Sequence, residues 1–273
     1  MRTVTYAIGD IHGRLDLLDA LLAKVENDAE TRGARAKIVF TGDYVDRGAD
    51  SCGVVERLMA GPKRSQDEFV CLRGNHDDLF VRAVTSGEEV PEWAWLLYWH
   101  TVVSYGLDRE SASRPDPTLS RHADYLAALP LTHDDGTHFF VHAGIRPGVA
   151  LERQAEEDLL WIRREFLDFD GPLPRRVVHG HTIMGDAPVL TANRISIDTG
   201  AFQSGRLTAA VIDGPDVGFL QAIGAPDRSA VVREFELRSI LHGRVASPTE
   251  RQARSDYLDG RIDLAELAQL SGG

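Results

Sequence analysis

Short apolar runs, each closed by a glycine-rich turn, recur along the chain: VTYAI (4–8), KIVF (37–40), FVCL (69–72), HFFV (138–141), RVV (176–178), RISI (194–197) and RLTAAVI (206–212). They are rich in β-branched side chains, the pattern of strands buried on both faces. A different period lies between them. In LDLLDALLAKVENDAE (15–30), Leu15, Leu18, Leu22 and Val25 fall on one stripe with aspartate and lysine opposite, which predicts an amphipathic helix. DSCGVVERLMAG (50–61) opens on an N-cap residue, Asp50 or Ser51, and stops at Gly61. QAEEDLLWIRREFLDF (154–169) is a third amphipathic stretch. The first half reads βαβαβ and the second mainly as strands, which is an α/β (α+β layered) fold with a mixed sheet.

The rhythm breaks between residue 84 and about 130. PEWAWLLYWHTVVSYG (91–106) holds three of the four tryptophans and two of the six tyrosines. SRPDPT (113–118) is a turn-rich linker, and LSRHADYLAALP (119–130) reads as a helix stopped by Pro130. We read this region as a helical insertion over the sheet. Trp93, Trp95 and Trp99 are taken as packing residues, with a base-stacking platform as the other reading. From Ser247 the strand signal ends. RQARSDYLDGRIDLAELAQL (251–270) has a weak helical period around Gly260, suited to a docked helix pair or a partly ordered arm. The expected organisation is one domain over 1–246, with the insertion at about 84–130, and a tail over 247–273.

Composition narrows the setting. The chain has 273 residues, 43% hydrophobic and 26% charged, enough to bury a substantial core. A net charge of -12 argues against a general binder of nucleic acid or of anionic membranes. It leaves room for an anionic substrate, because a metal or an arginine cluster can invert the local field. The two cysteines, Cys52 and Cys71, do not suggest a disulfide scaffold, which fits a reducing compartment. MRTVTYAIGD runs directly into a strand, so no signal peptide is expected. With no apolar run long enough to cross a bilayer, a cytoplasmic location follows as the expectation.

The chemistry collects at five strand ends: GDIHG (9–13), GDYVDRG (42–48), RGNHD (73–77), VHAG (141–144) and HGHT (179–182). In an open α/β sheet the carboxyl ends of strands form the ligand crevice, so loops distant in sequence can meet there. Asp10 and His12 are two apart and point the same way in extended backbone. Asp43 has a carboxylate able to bridge two ions, Asn75 offers an amide oxygen, and His142 and His181 offer imidazoles. Oxygen and nitrogen ligands without thiolate suit Mn²⁺, Fe or Zn²⁺. Two such ions about 3.5–4 Å apart would clamp the attacking and leaving oxygens of an in-line displacement. His100, His122, His133, His138 and His242 lack this context and are read as structural. His179, also at a strand end, is read either as structural or as supporting a ligand.

The ordered set GDxHG, GDxxDRG, GNHD, VHAG and GHT resembles the calcineurin-like metallophosphoesterases. Its DRG form is similar to the phosphoprotein phosphatase branch, which includes bacterial serine/threonine phosphatases. The similarity spans residues 9 to about 200. It implies a central β-sandwich of mixed sheets flanked by helices, with a dimetal site at the carboxyl edge of the strands. Carried over position by position, it implies Asp10, His12 and Asp43 on one ion and Asp43, Asn75, His142 and His181 on the other. His76 would be the general acid, oriented and charged by Asp46. Arg47 would grip phosphate, and Gly48 would let the chain turn into the next helix. LLWIRREF (159–166) resembles the W-x-R block of bacterial members, which selects Arg163 over Arg164 as a second phosphate ligand. Arg73 is either a further phosphate contact or a structural ion pair.

The implied reaction is direct hydrolysis of a phosphomonoester by a metal-bridging hydroxide, with His76 protonating the leaving oxygen. The expected cofactors are two divalent ions, Mn²⁺ first, and the expected substrate is a phosphoprotein or a phosphorylated small molecule. Asp77 after His76, where eukaryotic members usually carry glutamate, and the SYG-containing insertion are similar to the bacterial members. Those include both protein phosphatases and symmetrical dinucleoside tetraphosphatases, the alternative reading. A Ser/His/Asp hydrolase is disfavoured, because the chain has no G-x-S-x-G elbow and Ser204 before Gly205 is a poor substitute.

Overall fold

A computed structural model describes residues 2–86, 92–108, 110–111 and 116–271, with the backbone alone at 92–97. The first half contains β1 (Thr3–Ile8), α1 (Leu15–Thr31), β2 (Arg35–Phe40), α2 (Ser51–Met59), β3 (Glu68–Cys71) and α3 (Asn75–Thr85). The insertion follows as α4 (Glu92–Ser104) and α5 (Pro117–Ala127). Then come β4 (Thr132–Asp134), β5 (His138–Val141), α6 (Glu156–Trp161), α7 (Arg164–Leu167), β6 (Arg176–His179), β7 (Val189–Leu190) and β8 (Arg194–Ser196). The chain closes with α8 (Ala201–Ser204), β9 (Arg206–Asp213), β10 (Asp216–Ile223), α9 (Arg228–Leu241), α10 (Pro248–Leu258) and α11 (Leu264–Leu270).

The strands form two mixed sheets, ordered β10-β9-β1-β2-β3 and β4-β5-β6-β8-β7. Their side chains alternate between two cores, as a period of two requires. On β1, Val4, Tyr6 and Ile8 face α1–α5 while Ala7 faces the other sheet. On β2, Ala36, Ile38 and Phe40 face the helices and Val39 faces the second sheet. On that second sheet, Phe140 and Val178 turn inward, whereas Phe139, Val141 and Val177 pack beneath Leu159, Ile162 and Phe166. This is the expected sandwich between helical layers.

Parallel pairing of β1 with β2, and of β2 with β3, brings the ends of all three to one edge. Parallel pairing of β5 with β6 does the same for the second sheet. The Gly180 N–H donates to His142 O at 2.9 Å there, knitting two loops together.

Several elements differ from expectation. The amphipathic stretch 154–169 is two short helices, because Ile162 and Arg163 leave helical geometry between them. Strands β4, β7 and β10 carry no clear apolar run; β10 includes Gly218 and lies at a sheet edge. The tail is a docked helix pair. It shares a core of Phe202, Ala230, Val231, Val232, Ala253, Tyr257 and Leu267 with α8 and α9. In the insertion, Tyr98 and Val102 are buried, and Trp99 is 40% exposed. The side chains of Trp93 and Trp95, and residues 113–115 of the linker 113–118, lie outside the described residues. Among the described residues, no helix is long and apolar enough to cross a membrane.

Candidate metal centre

The loop after β1 is tied to the loop after β2 by backbone bonds. Ile11 and His12 N–H both donate to Asp43 O, at 3.1 and 2.9 Å, and Gly13 N–H donates to Tyr44 O at 2.9 Å. Gly48 donates to His12 O at 3.0 Å. Its role is close approach rather than turning, because a Cβ at that position would lie 2.2 Å from His12 O. Asp77 locks the other side. Its carboxylate accepts from the N–H groups of Asp43, Tyr44 and Gly74 at 2.8, 2.9 and 2.9 Å. His12, Asp43, Asp46, Arg47 and His181 all have positive φ, between 46° and 69°. Such strain in residues other than glycine marks a functional constraint.

Two groups of ligand atoms share Asp43: His12, Asp43 and His76, and Asp43, His142 and His181, each within 4.8 Å. His12 Nε2 is 3.4 Å from Asp43 Oδ2, and His142 Nε2 is 3.4 Å from Asp43 Oδ1. The tautomers follow from the partners. His12 Nδ1–H donates to Val45 O at 2.8 Å, and His142 Nδ1–H donates to Thr41 O at 2.9 Å. Each neutral ring therefore aims its Nε2 lone pair into the cluster. Asn75 Oδ1 lies 2.8 Å from His142 Nε2 and 2.9 Å from His181 Nδ1. Two lone pairs facing each other at 2.8 Å repel unless a cation lies between them, so the donor set fits a metal.

The electrostatics agree. Burial alone would raise the Asp43 carboxyl, but His142, His76, His12 and His181 more than offset it and hold it low. Asp10 accepts from His181 N–H through both oxygens, at 3.2 and 3.0 Å. Burial, Asp198 and Asp43 push its carboxyl well above the usual range. Burial likewise raises Asp198 to about 6 and Asp77 to about 7. Crowded carboxylates that resist ionisation alone are relieved by a divalent charge. Burial lowers His142 and His181, keeping both neutral and ready to bind.

His76 Nδ1–H donates to Asp46 Oδ2 at 2.7 Å. Burial would lower this imidazole, but Asp43 and Asp46 offset both burial and the Arg47 charge, and the group is held above the ordinary histidine value. That suits an acid. A ring nitrogen of His76 nevertheless lies with ligand atoms of His12 and Asp43 in a group that does not include Asp10. Arg47 donates from Nη1 to His12 Nε2 at 2.7 Å, and its Nη2 lies 3.3 Å from His76 Nε2. Arg163 donates to Thr182 Oγ1 at 3.3 Å, and its charge bears on His142 and His181. Arg73 is engaged elsewhere, 3.1 Å from Glu156 and 3.8 Å from Asp78, the ion-pair alternative of the two readings. His179 is buried between Gly180 O at 3.0 Å and Ser196 Oγ at 2.7 Å, without direct contact to the cluster.

Four further residues frame the site. Thr101 on α4 donates to Asp46 Oδ1, Asp198 crowds Asp10, Phe202 on α8 lies under Arg47, and the Trp161 ring stands 6.1 Å from that of His181. Asp198 carried a signal, since SIDTG is another strand end with glycine. Thr101 and Phe202 lie in ordinary helical sequence.

Comparison with known proteins agrees with this geometry. The chain is 32% identical over 158 residues to a symmetrical bis(5'-nucleosyl)-tetraphosphatase of Janthinobacterium sp. (strain Marseille), covering 56% of this chain and 50% of that protein. It is 27% identical over 219 residues to serine/threonine-protein phosphatase 1 of Salmonella typhimurium, covering 76% of this chain and 91% of that protein. The chain thus spans about half the length of the first relative and nine tenths of the second. A solved structure described as a putative diadenosine tetraphosphatase superposes with a TM-score of 0.59 at 23% identity, covering 82% of this chain and 98% of that one, and supports the fold. Residues 4–200 match the profile of the calcineurin-like phosphoesterases, and the chain belongs to that family.

Proposed function

We propose that the protein is a dimetal-dependent phosphomonoester hydrolase of the bacterial serine/threonine protein phosphatase type. The observation that carries the substrate class is span. Similarity to the Salmonella phosphatase runs over 91% of that protein, and to serine/threonine-protein phosphatase 2 of Escherichia coli over 90%.

His12, Asp43, Asn75, His142 and His181, with Asp10 behind them, would hold the ions. Bound there, two divalent ions would supply a nucleophile from water at neutral pH and neutralise charge on the phosphoryl group. The protein's own part is positioning and proton transfer. Arg47 and Arg163 flank the cluster from opposite groups of loops and orient phosphate oxygens through planar, fixed donors. His76, charged through Asp46, protonates the departing alkoxide, a step typically worth about 10²–10⁴-fold.

One observation favours a second reading, a symmetrical dinucleoside tetraphosphatase. Trp161 is 43% exposed at the rim and offers an aromatic face to a nucleobase. The test is phosphate release by Mn²⁺-loaded protein from a phosphoserine/phosphothreonine/phosphotyrosine peptide mixture and from diadenosine tetraphosphate at equal concentration. Faster peptide turnover is expected; faster nucleotide turnover would replace the first reading by the second.

A further inference from the structure

We propose that Glu234, on α9 and outside the family-matched residues, is the positioning residue for Arg47. This rests on phosphate binding at Arg47 and not on the choice between protein and nucleotide substrates.

Glu234 Oε2 is 3.6 Å from Arg47 Nε, and its Oε1 is 3.5 Å from Nε of the largely exposed Arg238. The Arg47 guanidinium lies 4.8 Å above the Phe202 ring. Its two Nη groups face His12 and His76, so the Nε edge points away from the metal cluster and towards Glu234. Arg47 Nε is buried and makes no hydrogen bond among the described residues.

A cation on the His12 lone pair would remove the 2.7 Å bond from Nη1 and repel the guanidinium. Glu234 and the Phe202 face are then what hold the group, with both Nη edges free for phosphate oxygens. Helix α9 is itself fixed. Asp227 caps its start, and Arg233 Nη2 donates to His100 Nδ1 of α4 at 3.2 Å. The neighbouring residue on α4, Thr101, holds Asp46. Two adjacent strained residues, Asp46 and Arg47, are thus each anchored by a different helix.

The experiment is isothermal titration of inorganic phosphate into Mn²⁺-loaded protein, unaltered and as Glu234→Gln, Glu234→Ala, Arg47→Ala and the double variant Arg47→Ala/Glu234→Ala. Glu234→Gln keeps the shape where Glu234→Ala costs packing. Each Glu234 variant should weaken phosphate about fivefold in the native background and have no further effect when Arg47 is absent. KM for p-nitrophenyl phosphate should rise more than kcat falls. Unchanged phosphate affinity, or an equal loss with and without Arg47, would overturn the proposal. No phosphate binding by the unaltered protein would overturn the phosphate role of Arg47 itself, a separate failure.

Discussion

The Thr101 hydroxyl donates to Asp46 Oδ1 at 2.7 Å across 55 residues of sequence. Thr101 Oγ1 in turn accepts from the Asp46 N–H at 2.9 Å. The helical insertion therefore reaches the Asp46–His76 pair through this hydroxyl. Thr101→Val keeps the shape and leaves a buried carboxylate short of a donor, a cost of about 1–3 kcal/mol. The expected result is a roughly tenfold lower kcat with metal content unchanged, and recovery in Thr101→Ser. Equal loss in both variants would mean a packing role alone.

His76 is both the candidate acid and a neighbour of the ligand atoms, so its replacement separates the two. His76→Asn should lower kcat by about 10²–10⁴-fold while both ions remain bound. Metal analysis of the purified variant decides it: loss of an ion would make His76 a ligand and move the acid elsewhere.

Metal loading should be visible in stability. At a hundredfold excess over the dissociation constant, an ion bound only by the folded state adds about 2.7 kcal/mol. Mn²⁺ should raise Tm of the chelator-treated protein, and Asp43→Asn, which removes the shared carboxylate charge, should abolish most of the rise. A full Mn²⁺ shift in that variant would argue against Asp43 as the bridge.

Gly180 tests the packing of the same centre. A Cβ there would lie 1.9 Å from Asp10 Oδ1. Gly180→Ala must displace Asp10, so metal affinity should fall at least tenfold in a protein that still folds, as followed by metal titration.

His179 gives the pH dependence. Burial lowers it to about 4. A histidine lowered on folding leaves stability intact above the unfolded value of about 6.5 and removes it as pH falls from there towards 4. Between pH 7 and pH 5 this group should cost about 2 kcal/mol. In chelator-treated protein, His179→Gln should shrink the pH difference in denaturant stability by that amount; an unchanged difference would assign the acid sensitivity elsewhere.

Most strands, and the polar residues gathered at their ends, were legible for one physical reason: parallel strands buried on both faces read as apolar runs, and their ends collect glycine with polar residues. The kink at Ile162 and Arg163, which gives Arg163 and Arg164 different surroundings, left no mark in the apolar pattern. What stayed hidden depends on tertiary contact. Thr101, Phe202 and Glu234 sit in helical sequence whose local pattern says nothing of what they face. Strand β10 was hidden because an edge strand with a central glycine lacks the buried run that marked the others.

The five left-handed residues of the two loop systems carry a consequence for evolvability. Each would be conformationally better served by glycine, by about 1 kcal/mol or more. The backbone path that makes the site is one its own side chains disfavour. Selection for thermal robustness alone would therefore erode these positions, and a more stable version of this chain would be reached most easily by giving up its chemistry.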